Sequence, residues 1–265
     1  MTSTQCILST GNIITSASEV LRTPAISSSS TELIASLRSH IRSSPPSPPP
    51  SPSLPPSAAA PLYIPLPPPA PESLSEDRAE YDITVKLFLS GSVTPAQILD
   101  AVKRVLRTLA TDRIDLLILS LPGISFDAED SFSPAADVDA WAATWAVLES
   151  LPSIARLGIS EFGTARLSQL LPRTRVKPSV DQINVRDCCV VPKELILYAK
   201  EEGIELLTHN DCTDILPKGK LREVLVDEFA LISDGKQVEP VWVAKYTAVI
   251  RSRGVVENKG WASPL

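Results

Sequence analysis

Residues 114–121 read IDLLILSL, an almost unbroken apolar run closed by Pro122-Gly123. A run of this length with a turn signal behind it suits a strand covered on both faces. Working outward, a second such run lies upstream at Ile83–Leu89 (ITVKLFL). Between the two, Thr94-Pro95 opens a helix with proline at its first position. Ile98, Ala101, Val102, Val105 and Leu109 then form one apolar helical face. Downstream, Trp141, Trp145 and Leu148 mark another helical stripe, and Arg156–Ser160 (RLGIS) reads as a third strand. Leu167, Leu170 and Leu171 follow on a helix that stops at Pro172. A strand at Val180–Val185 (VDQINV), a helix from Pro192 to Gly203 and a strand at Ile204–Thr208 (IELLT) complete the pattern. A parallel crossover needs a dozen or more residues, and this cadence supplies them, so the fold class is α/β with parallel strand–helix units. Periodicity does not separate a closed barrel from an open doubly wound sheet.

The 265 residues form one expected domain, 1–265, with a Pro-rich insertion at 44–72. Fourteen of the 25 prolines fall between Pro45 and Pro71. Proline fixes φ and lacks a backbone donor, so the insertion is expected to be a disordered, extended spacer. Before it, Gln5–Ile14 (QCILSTGNII) reads as a strand with a turn at Gly11-Asn12. Thr31–Arg42 carries Leu33, Ile34, Leu37 and Ile41 at helical spacing. The Ser/Thr-rich, acid-poor N-terminus has the flavour of a transit peptide, but its β-type run and scarcity of arginine favour an ordinary first strand.

A net charge of −6 argues against a nucleic-acid surface. No run is long enough to cross a membrane, so neither nucleic acid nor membrane is an expected partner. Cys6, Cys188, Cys189 and Cys212 form no CxxC pair and suggest a reducing, cytoplasmic setting. No GxG fingerprint and no GK[ST] phosphate loop occur. With only His40 and His209, a multi-histidine metal site is excluded, and no metal is expected. No GxSxG elbow supplies a serine nucleophile, so His209 is favoured as a hydrogen-bonded structural residue. Chemistry in such folds sits at the carboxyl ends of the strands. Those ends carry Ser120, Ser160-Glu161, Gln182–Asn184 and Thr208–Asp211. Lys86 is a lone cation within an apolar strand. It is functional, a relic, or faces a gap in the wall.

IDLLILSLP, RLGISEF and VDQINV resemble strands of the aldo-keto reductases. That resemblance implies a (β/α)8 TIM-barrel using NADPH, with a tyrosine proton donor tuned by a lysine and an aspartate beside a histidine. Lys86 falls at the lysine position, and Ser160 and Gln182 where the nicotinamide amide is touched. Ser120 stands at the histidine position and Glu161 at an asparagine. The proline insertion, with Tyr63 in PLYIP, replaces the Asp-then-Tyr segment. RSRGVVENKG resembles the last barrel strand. The resemblance runs out at Leu265 before the cofactor-gripping arginine, so the barrel is expected to be incomplete there. Hydride transfer without an acid leaves an alkoxide unprotonated. Lys86, Ser160 and Gln182 are therefore read as vestigial, with no cofactor and no catalytic residue expected.

A narrower resemblance covers most of the chain outside the proline segment and residues 217–240. VKPSVDQINVRDCCVVPKELILYAKEEGIELLTHND (176–211), EDRAEYDITVKLFL (76–89), STGNII (9–14) and WVAKYTAVIRSRGVVENKGW (242–261) resemble the regulatory (modifier) subunits of glutamate–cysteine ligase. That implies a non-catalytic protein in a heterodimer with the ligase catalytic subunit, modulating substrate affinity and glutathione feedback inhibition in glutathione biosynthesis. The alternative is a divergent NADPH-dependent reductase. Cys188, Cys189 and His209 are the partner-contact or redox candidates, set against reduced thiols packed as small apolar groups and a simple turn. Arg42, Pro45 and Pro48 match the spacing of a groove ligand, although a passive loop is favoured.

Overall fold

The computed structural model describes residues 6–16, 28–43, 62–64, 73–126, 133–184, 191–212, 214–232 and 238–265. Nine strands form one sheet in the order β2-β1-β9-β8-β3-β4-β5-β6-β7. Five of them, β3 (Tyr81–Leu89), β4 (Ile114–Ser120), β5 (Ile154–Ser160), β6 (Val180–Asn184) and β7 (Glu205–His209), are parallel neighbours in chain order. They are the five strands read from the sequence.

The helices between them also match that reading. For clarity, α1 is Ile13–Ser16, α2 Ser29–Ser43, α3 Pro95–Thr108, α4 Ala135–Glu149, α5 Thr164–Leu170 and α6 Lys193–Glu202. Helix α3 starts where Thr94-Pro95 directs it. The Thr94 hydroxyl accepts from the Gln97 N–H and the Gln97 side chain returns to the Thr94 N–H, satisfying two donors that a helix start leaves open. The apolar faces of α3–α6 pack on one side of the sheet around Trp145, Leu117, Leu119 and Phe162.

The remaining strands depart from the eight-unit parallel pattern. β8 (Trp242–Ile250) and β9 (Val255–Pro264) are an antiparallel hairpin, and β8 pairs antiparallel with β3 over nine residue pairs. The RSRG string is therefore the turn of this hairpin rather than the body of a last barrel strand. Gly254 takes φ of 63° and its N–H donates to the Ile250 carbonyl at 2.8 Å, a left-handed closure that glycine adopts without strain. β1 (Cys6–Ser9) adds antiparallel to β9, and β2 (Leu62–Ile64) adds parallel to β1. Those three residues of the proline segment are thus an edge strand and not spacer, because an edge needs bonds on one side only. The rest of the 44–72 insertion lies outside the described residues. The sheet's two end strands, β2 and β7, each have one strand neighbour among the described residues, so five parallel units and an antiparallel group share one open, curled sheet.

The concave face is covered by α2 and by α7 (Lys218–Arg222), which runs on into a π-helical turn at Glu223–Glu228. Their apolar residues, with Leu8, Phe88, Val243 and Trp261, make a second core. Arg38 joins the two helices through Glu223 and Glu228, each at 2.6 Å.

Candidate functional site

Lys86 and Lys245 stand directly opposite each other on the antiparallel pair β3–β8. Like charges in register on neighbouring strands repel. Asp211, just past the end of β7, settles the conflict. Its Oδ2 lies 3.0 Å from Lys86 Nζ and its Oδ1 2.8 Å from Lys245 Nζ. Oδ1 also accepts from the Ser29 hydroxyl at the start of α2. One carboxylate therefore ties together four elements far apart in sequence. The Lys86 and Asp211 side chains are 5% and 4% exposed, so both charges are removed from water. Such a pair persists only when it is matched and further hydrogen-bonded. Burial by itself would raise the Asp211 carboxyl, but Lys86, Lys245 and the donors on Oδ1 outweigh it and hold it well below the usual carboxylate range. Burial, reinforced by the neighbouring Lys245, pulls the Lys86 ammonium downward against the opposing pull of Asp211.

A second pair adjoins the first. The His209 ring, at the end of β7, places Nε2 2.5 Å from Glu161 Oε1, and both side chains are 7% exposed. The contact lies off the N–H axis, so Nε2 has no aligned hydrogen bond. Nδ1 accepts from the Asp211 N–H at 3.0 Å. Glu161 follows β5 with φ of 67°, a left-handed conformation that costs a non-glycine residue about 1 kcal/mol. It is held there by Phe126 N–H on its Oε2 (2.8 Å) and by its own N–H on the Gln182 carbonyl (3.0 Å). Arg166 donates to the Glu161 carbonyl at 3.4 Å, and the Asn184 side chain donates to the Asp211 carbonyl at 3.1 Å. Residues inside β3 and β8 and at the ends of β5, β6 and β7 thus converge on one buried polar cluster.

The structure brings Lys86 and His209 into this cluster through Asp211. Ser160 is fully buried and donates to the Leu119 carbonyl at 3.3 Å. Gln182 keeps a buried Oε1 without a hydrogen-bond partner among the described residues. His209 faces inward to Glu161 rather than outward. Arg42, at the last turn of α2, pairs with Glu228 at 2.6 Å and lies over the Phe229 ring. Cys188, Cys189, Pro45 and Pro48 fall outside the described residues. Cys6 lies on β1, where burial pushes its thiol up to about 11. Sequence reasoning missed Lys245 and the role of Asp211. The one available signal was Lys86 itself, since a buried lysine demands an anion.

Among the described residues, no cluster of three or more His, Cys, Asp or Glu could hold a metal, and no helix is long and apolar enough to cross a membrane.

Two kinds of relative emerge from comparison with known proteins. The glutamate–cysteine ligase regulatory subunit of Rattus norvegicus is 30% identical over 189 residues, 70% of this chain and 66% of that protein. The putative regulatory subunit of Schizosaccharomyces pombe is 28% identical over 211 residues, 72% of this chain and 73% of that protein. The chain thus spans about two thirds of the length of the mammalian relatives. Among solved structures, MGS-M4, an aldo-keto reductase enzyme from a Medee basin deep-sea metagenome library, aligns over 46% of this chain and 41% of its own at 23% identity, with a TM-score of 0.36. The aldo/keto reductase family profile matches residues 70–263, which take in β3 through β8, β9 up to its last residue, and every member of the buried cluster except Ser29. The chain belongs to the aldo/keto reductase family.

Proposed function

We propose that the chain is a non-catalytic regulatory subunit of glutamate–cysteine ligase. On this reading it binds the catalytic subunit as a heterodimer in the cytoplasm, and alters the use of glutamate and the inhibition by glutathione. Its likeness to the rat and fission-yeast regulatory subunits supports the choice of partner. The observation that carries the non-catalytic half is that no tyrosine hydroxyl partners Lys86, whose ammonium pairs with Asp211. A reductase of the kind the sequence resembles needs a lysine beside a tyrosine hydroxyl that gives up its proton. All four tyrosines are described, and Lys86 Nζ has no hydrogen-bond partner among them. The Tyr81 hydroxyl donates to Glu257 at 2.5 Å and that of Tyr246 to the Gly11 carbonyl at 3.2 Å. Tyr63 accepts from Arg104, and Tyr198 lies on α6 near Glu202.

A regulatory subunit works only by binding one state of its partner better than another. Cys188 and Cys189 are the candidates for a bond across that interface. The test is co-purification with the catalytic subunit, followed by its glutamate KM and its glutathione inhibition with and without this chain. A lowered KM or weakened inhibition is expected, and no change in either overturns the proposal. A fluorescence titration with NADPH covers the alternative. Saturable binding accompanied by turnover of an aldehyde would establish a divergent reductase.

A further inference from the structure

The His209 ring is fixed from two sides, and the backbone settles its tautomer. A backbone N–H can only donate, so Nδ1, which takes the Asp211 N–H at 3.0 Å, is the lone-pair nitrogen. The ring's single proton therefore sits on Nε2, beside Glu161. A second proton has one place to go, and at Nδ1 it meets the Asp211 N–H head-on. A carboxylate oxygen lies close by, Asp211 Oδ2 at 3.7 Å, the same oxygen that pairs with Lys86.

We propose that His209 and Asp211 form an acid-released latch. A proton taken from solvent onto Nδ1 displaces the Asp211 N–H and draws Oδ2 toward the imidazolium and away from Lys86. Asp211 then loosens from β3 and β8. It lies between β7 and α7, which covers the concave face, so the latch joins the parallel strands to the helices lying across them. Charges of both signs surround His209: the carboxylates of Glu161, from the end of β5, and Asp211, and the cations Lys86 on β3, Lys245 on β8 and Arg166 on α5, which reaches the Glu161 carbonyl. Asn184 on β6 and Ser29 on α2 are neutral and grip Asp211 by its carbonyl and its Oδ1. The latch concerns the chain's own stability and does not depend on the regulatory reading.

The experiment is hydrogen exchange of the full chain at about pH 7.5 and about pH 5.5, corrected for the intrinsic effect of pH, read in peptides spanning residues 205–217. In the wild type, exchange there is expected to rise about fivefold or more at the lower pH. In His209→Asn it is expected to stay flat, because the asparagine Oδ1 can take the place of Nδ1 and does not titrate. An unchanged wild type, or an equal rise in the variant, overturns the proposal. Should the variant fail to fold, ring nitrogen shifts of the wild-type histidine decide. A lone-pair Nδ1 at the higher pH that gains a proton at the lower one supports the latch, and an Nδ1 already protonated at the higher pH sinks it.

Discussion

The two halves of the sheet are built by different means. In the β3–β7 half each strand is followed by its own helix, and neighbours in space are neighbours in sequence. Its stability is spread over many apolar contacts along α3–α6. In the other half β1 and β2 come from the start of the chain and β8 and β9 from its end, and β1 meets β9 with Ile7 opposite Pro264. There, single close fits and single charges are added to the packing of the second core. Gly260 is one such fit, since a Cβ at that position would lie 2.2 Å from both the Gly11 carbonyl and the Tyr246 hydroxyl. Asp211 is another, joining Lys86 of the first half to Lys245 of the second. The lesson is that a redundant half should tolerate small changes, and a keyed half should not.

The largest effect is expected where the parallel half loses a whole side chain. Trp145→Ala empties a fully buried site on α4 and orphans the Val176 carbonyl that the indole N–H serves at 2.8 Å, at about 4 kcal/mol in urea unfolding. In the other half, adding one methyl group should rival that deletion. Gly260→Ala is expected to cost about 3 kcal/mol, and an unchanged midpoint would mean that the keyed description is wrong.

Asp211→Asn probes the seam between the halves. It leaves Lys86 buried without its anion, at about 3 kcal/mol near neutral pH. Lys86→Met should cost less, because Lys245 and Ser29 still hold the carboxylate. Equal losses would place the weight on Lys86 instead. The pH dependence has a definite sign. The folded-state carboxyl of Asp211 lies below its ordinary value, so its contribution is present above about pH 4 and is lost as the pH falls further. The gap between wild type and Asp211→Asn should close on acidification over that range. A gap that widens there contradicts the assigned direction. The smallest effect belongs to a local signal in the redundant half. Thr94→Ala removes the α3 cap and is expected to shift stability by about 1 kcal/mol, read as a change in urea midpoint at constant slope.

How far the sequence could be read tracks the same division. β3–β7 and α3–α6 were legible because each is specified within its own ten or fifteen residues: apolar runs for strands, Thr94-Pro95 for a helix start, Gly203 for a helix stop. Lys86 announced that an anion was needed, but not which one. Asp211 lay in a string that reads locally as a turn, and its partner Lys245 lay in a strand whose direction was unknown. Strand direction cannot be read from alternation, since a parallel and an antiparallel neighbour bury the same face. The RSRG string was legible as an interruption, yet only the return of β9 beside β8 made it a hairpin turn.

The sequence by itself therefore determined the parallel strand–helix units, the acidic surface and the buried cation, because periodicity, composition and burial cost act over short stretches of chain. Tertiary structure alone decided that two lysines would face each other across β3 and β8, and that one carboxylate from the far end of the sheet would pair with both. Coulombic and steric fit act over a few ångströms in space, and residues 86, 211 and 245 reach that range only when the sheet has curled and the two ends of the chain have met.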